Sequence, residues 1–474
     1  MLKVLVVLIL LGVAVGVIAV FVRWERQGRD HLVPLVLLAL LVVEATIYAD
    51  QNTLPRSLFH PGSGSAQLRI PEIYITLALI ARLIARGKPT RIGLPAALWL
   101  AFAAWMVVGM IEGHLYHNVL TQDLYEAKDI LYIVGAYALA AGVPVRRYID
   151  SGDLLRLGNL TVVCITIVDL MTIAHISLNT HIPELPLQDF GAVGNETAAL
   201  ALAIVTMCFF VRLASGPLRS WDVIALVPVV TALILSNQRA VLVNLGVVVG
   251  VLLVLLLAGP WRGAVRRFRV RSGQIVLTAL AVAGVTLAVL FIPAMVNQAP
   301  VRVPLSSQFN ALFHSQGKVE SAQDRLNLAS EAEKLIPQHL MIGWGLGVEF
   351  QYYESGKRSV ITIAYAHNIA LDLLLRLGLV GLVMFIAALA YSLVDGVNAW
   401  RRHPDPVVAA LALAIIAVLA GLLATAFLEP FLDEYRLATV FGVSLGMLRA
   451  SVTSIAHISR HPAGQTELGR AAWR

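Results

Sequence analysis

Long apolar runs separated by short polar turns set the rhythm of this chain. A run of roughly eighteen nearly uncharged residues is enough to cross ~30 Å of hydrocarbon as a helix, and the pattern recurs about a dozen times along the sequence. It predicts helices near 2–22, 32–49, 71–87, 93–111, 127–144, 157–177, 196–214, 220–236, 240–258, 274–293, 368–394, 407–428 and 432–450. The short alternating strands of a membrane β-barrel are not the pattern seen. One polar stretch breaks the series: residues 294–366, about 70 in all, exceed any ordinary connection. Within it, Leu326, Ala329, Ala332 and Leu335 recur at helical spacing over 320–335, and Pro337 ends the run. Gly343, Gly345 and Gly347 around Trp344 then predict a tight turn or a close approach of backbones.

Composition agrees with that reading. The 474 residues are 58% hydrophobic and 14% charged, against roughly 25% charged in soluble domains. The expected fold is an all-α, polytopic helical bundle of about 12 or 13 transmembrane helices. It divides into N-terminal membrane helices over 1–293, the long loop 294–366, C-terminal membrane helices over 367–450 and a polar tail over 451–474. Met1–Val22 resembles a signal peptide, but its apolar run is too long and lacks a small-residue cleavage site, so it is expected to remain as a helix. The net charge of +7 comes from arginines in short turns rather than on one soluble face, which argues against nucleic acid. Arg82 and Arg86, Arg146 and Arg147, Arg212 and Arg219, Arg266 and Arg267, and Arg401 and Arg402 mark cytoplasmic turns by the positive-inside tendency. The alternate connections, 294–366 among them, then face outward. Cys164 and Cys208 both fall inside apolar spans, which removes a thiolate metal site and a disulfide framework.

His367 stands where the outward loop re-enters an apolar helix, and an ordinary pKa of about 6.5 suits a histidine to acid or base work near neutrality. The alternative is an interfacial or capping histidine. Arg239 follows Gln238 in a tight outward turn between two apolar helices, where the positive-inside tendency disfavours a cation. It is read as either gripping an anionic substrate or pairing with Glu429, Asp433 or Glu434. Arg325 rides on the helix expected in the long loop, either as a second anion ligand or on a solvated face. Arginine suits a diphosphate because its planar fork donates two parallel hydrogen bonds and keeps its charge. Asn195, after Gly191 and Gly194, opens a helix whose free N–H groups can meet an anion, or simply caps it. Asp372, one turn into the helix after His367, is a candidate to orient that ring, and Asp169 is read as a proton relay or as a helix–helix hydrogen bond. No glycine-rich phosphate loop ending in Lys-Ser or Lys-Thr, no His-Glu-x-x-His and no outward Asp-x-Asp are present, so metal-free chemistry without a cofactor is expected.

Together these segments resemble the O-antigen ligase and polymerase superfamily of bacterial envelope proteins. His367, Asn368, Gly378 and Gly381 match its ligase-type pattern: His, then Asn, Ser or Gln, nine residues, Gly, two residues, and Gly, Thr or Tyr. Leu335 to His339 and Gly343 to Gly347 look like the approach to that histidine, Ser236 to Arg239 like the small-residue–Arg hairpin, and Gly191 to Ala198 like a further glycine-bearing segment. The resemblance, over roughly 190–390, implies a GT-C-like glycosyltransferase of the bacterial inner membrane with its site on the periplasmic side. It would move a glycan from undecaprenyl diphosphate to a sugar hydroxyl of lipid A-core, inverting the anomeric carbon without metal. His367 would activate the acceptor hydroxyl or steady the reacting groups, Arg239 and Arg325 would hold the departing diphosphate, and Asn368, Gln238, Asn195 and Asp372 would support them. A polymerase using the same donor, a protein-glycosylating enzyme, and a secondary transporter remain as competing readings.

Overall fold

The computed structural model describes residues 2–47, 69–86, 93–179, 195–216, 220–236, 239–258, 319–354, 359–428 and 434–460. Its helices are α1 (Leu2–Arg26), α2 (Leu32–Ile47), α3 (Ile70–Arg86), α4 (Leu94–Leu115), α5 (Leu120–Ala141), α6 (Val145–Asp150), α7 (Asp153–Asn179), α8 (Asn195–Ser215), α9 (Ser220–Ile224), α10 (Leu226–Leu235) and α11 (Arg239–Ala258). After these come α12 (Val319–Leu335), a short hairpin of β1 (Phe350–Glu354) and β2 (Ser359–Ile363), then α13 (Ile369–Arg402), α14 (Pro406–Ala426) and α15 (Tyr435–Arg460). Among the described residues six helices are long and apolar enough to cross a membrane, and Leu32–Thr46 and Ala240–Leu252 are shorter apolar ones. The chain is an all-α, multi-pass membrane protein. The expected helix 274–293 lies outside the described residues.

Polar groups staple one end of the bundle. Arg82 and Arg86 on α3 both reach Glu25, at 2.7 and 2.9 Å, while Arg86 and Arg147 share Asp30 at 3.1 and 2.5 Å. His31 meets Asp153 at 3.0 Å. Three of the arginines that marked turns, Arg82, Arg86 and Arg147, therefore gather on Glu25 at the end of α1 and Asp30 in the α1–α2 turn. In the interior, Gly442 and Gly446, four apart on α15, lie directly on the Ile133 and Tyr137 carbonyls of α5, where a Cβ would collide. Small residues at this spacing let two helices pack backbone to backbone. Trp99 and Phe102 of α4 meet Phe385 of α13 at ring separations of 5.8 and 5.5 Å, and the Trp99 indole donates to Ser392.

α13 is broken at Gly378, where φ is 67° and ψ is −171°, a conformation open essentially to glycine alone. A break in an apolar helix strands carbonyls and N–H groups that lipid cannot satisfy. Here the 340–346 loop satisfies them. Trp344 and Gly345 donate their N–H groups to the carbonyls of Leu375 and Arg376 at 2.8 and 3.0 Å, and the N–H of Leu379 reaches the Leu340 carbonyl at 2.7 Å. The indole of Trp105 on α4 donates to the Leu377 carbonyl at 3.0 Å. Gly343 and Gly378 face each other so closely that a Cβ on either would enter the other's backbone. This is the close approach that the three loop glycines predict, and each of them has a positive φ.

The long segment differs from expectation in two respects. It holds the antiparallel β1–β2 hairpin, paired from Phe350 with Ile363 to Glu354 with Ser359. Phe350 and Tyr352 are buried while Gln351 and Tyr353 are exposed, the two-residue alternation of a half-buried strand. On α12 the buried face runs through Leu328 and Ala332, and Leu326 is 64% exposed. The expected apolar set was therefore one face out at its start, because β1 and α13 rather than the bundle alone cover this helix.

An alanine at 378 must adopt a glycine-only conformation, which costs ~1–3 kcal/mol, and must displace Met341 backbone. Gly378→Ala is expected to lower the thermal unfolding midpoint of the detergent-solubilised protein, whereas Gly12→Ala, whose Cβ would meet no neighbour, leaves it unchanged or higher. Equal midpoints for the two variants would show that the break is not required.

Candidate functional site

His367 is half-buried and sits immediately before α13. Asn368 takes the N-cap position: its side-chain oxygen accepts from the N–H groups of Ala370 and Leu371 at 2.9 and 3.3 Å. Such a cap fixes where the helix starts, and so where His367 leaves it. The Tyr365 ring stands edge-on to the imidazole, 5.2 Å between centroids. The intervening Ala366 is buried with Leu328 and Ala332 of α12 and Leu375 of α13.

Below this segment lies a cluster of three charges. Arg376, four residues after Asp372 and on the same helix face, meets it at 2.7 Å and meets Glu126 of α5 at 3.2 Å. All three are at least nine-tenths buried. Asp372 accepts from the Ala366 N–H at 3.1 Å, Arg376 donates to the Ala364 carbonyl at 2.8 Å, and Glu126 accepts from the Gly347 N–H at 2.8 Å. Asp372 thus acts on the chain leading into His367. The sequence reading passed over Arg376 and Glu126. Their signal was present: a cation four residues after an acid inside an apolar helix is costly unless it is paired.

Other candidates are placed as follows. Arg325 is exposed on α12, one turn before the buried Leu328. Arg239 is the first residue of α11 and Asn195 the first of α8, but their side chains lie outside the described residues, as does all of Gln238. Of the acids considered for Arg239, Glu429 and Asp433 are also outside them. Glu434 is described; burial and the neighbouring Glu196 carboxylate raise its pKa well above the usual range. Glu196 in turn pairs with Arg436 at 2.8 Å, Arg436 lies 4.0 Å from Glu44, and the Tyr435 hydroxyl donates to Glu44. Asp169 is 4% exposed, and neither of its oxygens has a hydrogen-bond partner among the described residues, so the helix–helix hydrogen bond considered for it is not seen there. Among the described residues no three His, Cys, Asp or Glu side chains gather in a metal-binding arrangement.

Asp123, in the first turn of α5, faces the same glycine loop. It is 1% exposed, and its Oδ1 lies where a Cβ on Gly347 or Gly113 would fall. Burial pushes its pKa up to about 6, with His114 pulling the other way. Asn118 closes this corner by donating to the carbonyls of Trp344 and Leu346 at 2.9 and 2.8 Å.

Residues 224–386 match a family model described as O-antigen ligase. The matched stretch runs from the end of α9 past the break in α13 and contains Arg239, Arg325 and His367. A search of curated proteins found no match.

Because the folded pKa of Asp123 is raised, the folded state favours the neutral acid. Stability is therefore highest below the unfolded value of about 3.9 and is lost as pH rises through about 6. Asn at 123 does not titrate. The unfolding midpoint of Asp123→Asn relative to the parent is expected to rise between pH ~4.5 and pH ~7.5, measured on the purified protein in detergent; a constant difference would mean that Asp123 is ionised throughout.

Proposed function

We propose that this chain, whose residues 224–386 match the O-antigen ligase family model, is a glycosyltransferase-like membrane enzyme acting on a lipid-linked glycan, and specifically a ligase. In this reading it transfers a glycan from undecaprenyl diphosphate to a sugar hydroxyl of lipid A-core, at the periplasmic face of the bacterial inner membrane. The observation that carries the reading is the placement of His367 at the capped start of a broken membrane helix, within the matched residues.

The chemistry needs little more. The acceptor hydroxyl oxygen attacks the anomeric carbon from the side opposite the diphosphate; its proton passes to the His367 imidazole, and the glycosidic C–O bond breaks with its electron pair left on the diphosphate. That leaving group is already anionic, so no acid has to protonate it and the paired carboxylates of a hydrolase are dispensable. Arg239 and Arg325 would grip the diphosphate as charge builds on the bridging oxygen, which lowers the barrier in the transition state specifically. Asn368 serves by capping α13, and Asn195 and Gln238 would have a supporting role.

His367→Ala and Arg239→Ala are expected to reach the membrane in normal amounts yet lose transfer by ~100-fold or more, with Arg325→Ala following in the same direction. The measurement is surface-polymer-bearing lipopolysaccharide in a strain lacking the chromosomal copy, together with transfer by purified protein from a lipid-linked donor. Full-length polymer accumulating on the lipid carrier marks a ligase; single repeats attached to core mark a polymerase instead. Normal lipopolysaccharide with His367→Ala would refute the assignment.

A further inference from the structure

Arg376, Glu126 and Asp372 form a buried group whose hydrogen bonds go largely to backbone. The Ala364 carbonyl is held by Arg376 and the Ala366 N–H by Asp372, so the peptides on both sides of Tyr365 are tied down immediately before His367. Glu126 holds the other wall through the Gly347 N–H. Buried ion pairs bring little net stability, because desolvation consumes most of what the charges gain, and apolar groups of the same size often serve as well. A trio that only filled space would not need three charges each directed at a particular peptide group.

We propose that Arg376, with Glu126 and Asp372, positions His367 for transfer. The trio fixes the 364–366 backbone, and with it the Tyr365 ring that stands against the imidazole. This rests on the reading of His367 as the group that activates the acceptor. None of the three touches substrate: Arg376 acts on His367 through the chain, and Glu126 ties the same guanidinium to α5 and the glycine loop. A displacement of ~1 Å at a reacting group is enough to cost ~100-fold in rate, so modest slack at Ala364 and Ala366 has a large effect on turnover.

The test uses the full chain in lipid nanodiscs, with a polyprenyl-diphosphate-linked glycan as donor and lipopolysaccharide core as acceptor. Arg376→Met is expected to lower kcat by ~100-fold while the donor KM moves by less than about threefold, with Arg376→Lys recovering part of the loss. Amide hydrogen exchange in the peptide containing 364–368 is expected to quicken at least about tenfold in Arg376→Met and Asp372→Leu. Asp372→Asn keeps an oxygen for the Ala366 N–H and so keeps most of the protection, which also provides a variant suited to folding should Asp372→Leu not fold. Introduced into His367→Ala, Arg376→Met is expected to cause no further loss, since residues acting as one unit are not additive. Unchanged exchange at 364–368, or an equal further loss in the His367→Ala background, overturns the positioning role. Full activity of His367→Ala by itself overturns the base assignment instead, and the exchange experiment still decides whether the trio holds this backbone.

Discussion

The structure depends on how a membrane helix that has been broken recovers its hydrogen bonds. Gly378 turns α13 out of helical geometry, and lipid offers nothing to the carbonyls of Leu375, Arg376 and Leu377. The 340–346 loop and Trp105 supply the missing partners. The repair is mutual: the loop's own N–H groups, which would otherwise be buried without partners, are satisfied by the broken helix. Neither element is stable in this form without the other. Gly381, one turn beyond the break, leaves space for the Trp105 ring and Leu377 beside it, where a Cβ would crowd both.

The spacing of the histidine motif thus has a geometric meaning. Asn368 starts the helix, the first turns after it carry Asp372 and Arg376 toward α5, and Gly378 ends that short rigid section at the loop. His367 is mounted on a stub of helix fixed at both ends, with Glu126 and Gly347 bracing it from the side. Charge is kept inside the bundle here because each charged group meets a partner, the condition under which ionisable groups are tolerated at depth.

Much of the bundle was legible because crossing hydrocarbon leaves so few sequence solutions. α3, α4, α8, α11 and α14 begin and end close to where the apolar runs do. The misses fall where polar residues are buried. α5 was expected from 127 but starts at Leu120, since Asp123 and Glu126 read as loop although they pack against Gly347. α13 was expected to stop near 394 but continues to Arg402, with Asp395 paired to Arg449 at 2.9 Å. The expected helix 220–236 is divided at Ala225 into α9 and α10. The hairpin was missed because only the five residues of β1 alternate, and α12, expected as a helix over 320–335, was given Leu326 on its inner face because its neighbours decide which face is inner. Of the site, His367 and its glycines were visible as a motif; Arg376 and Glu126, 250 positions apart, become a pair only through the packing of α5 on the loop and α13.

The corner at Asn118 enlarges the module that carries His367. Its amide secures the Trp344 and Leu346 carbonyls, and the Gly109 carbonyl takes the Leu346 N–H, so the α4–α5 turn is fastened to a stretch more than two hundred residues away. The structural unit is consequently discontinuous: residues 109–126 are fastened to 340–347 and, through Glu126, to Arg376. Grafting 319–402 alone into a related scaffold would transplant the histidine without the floor it stands on.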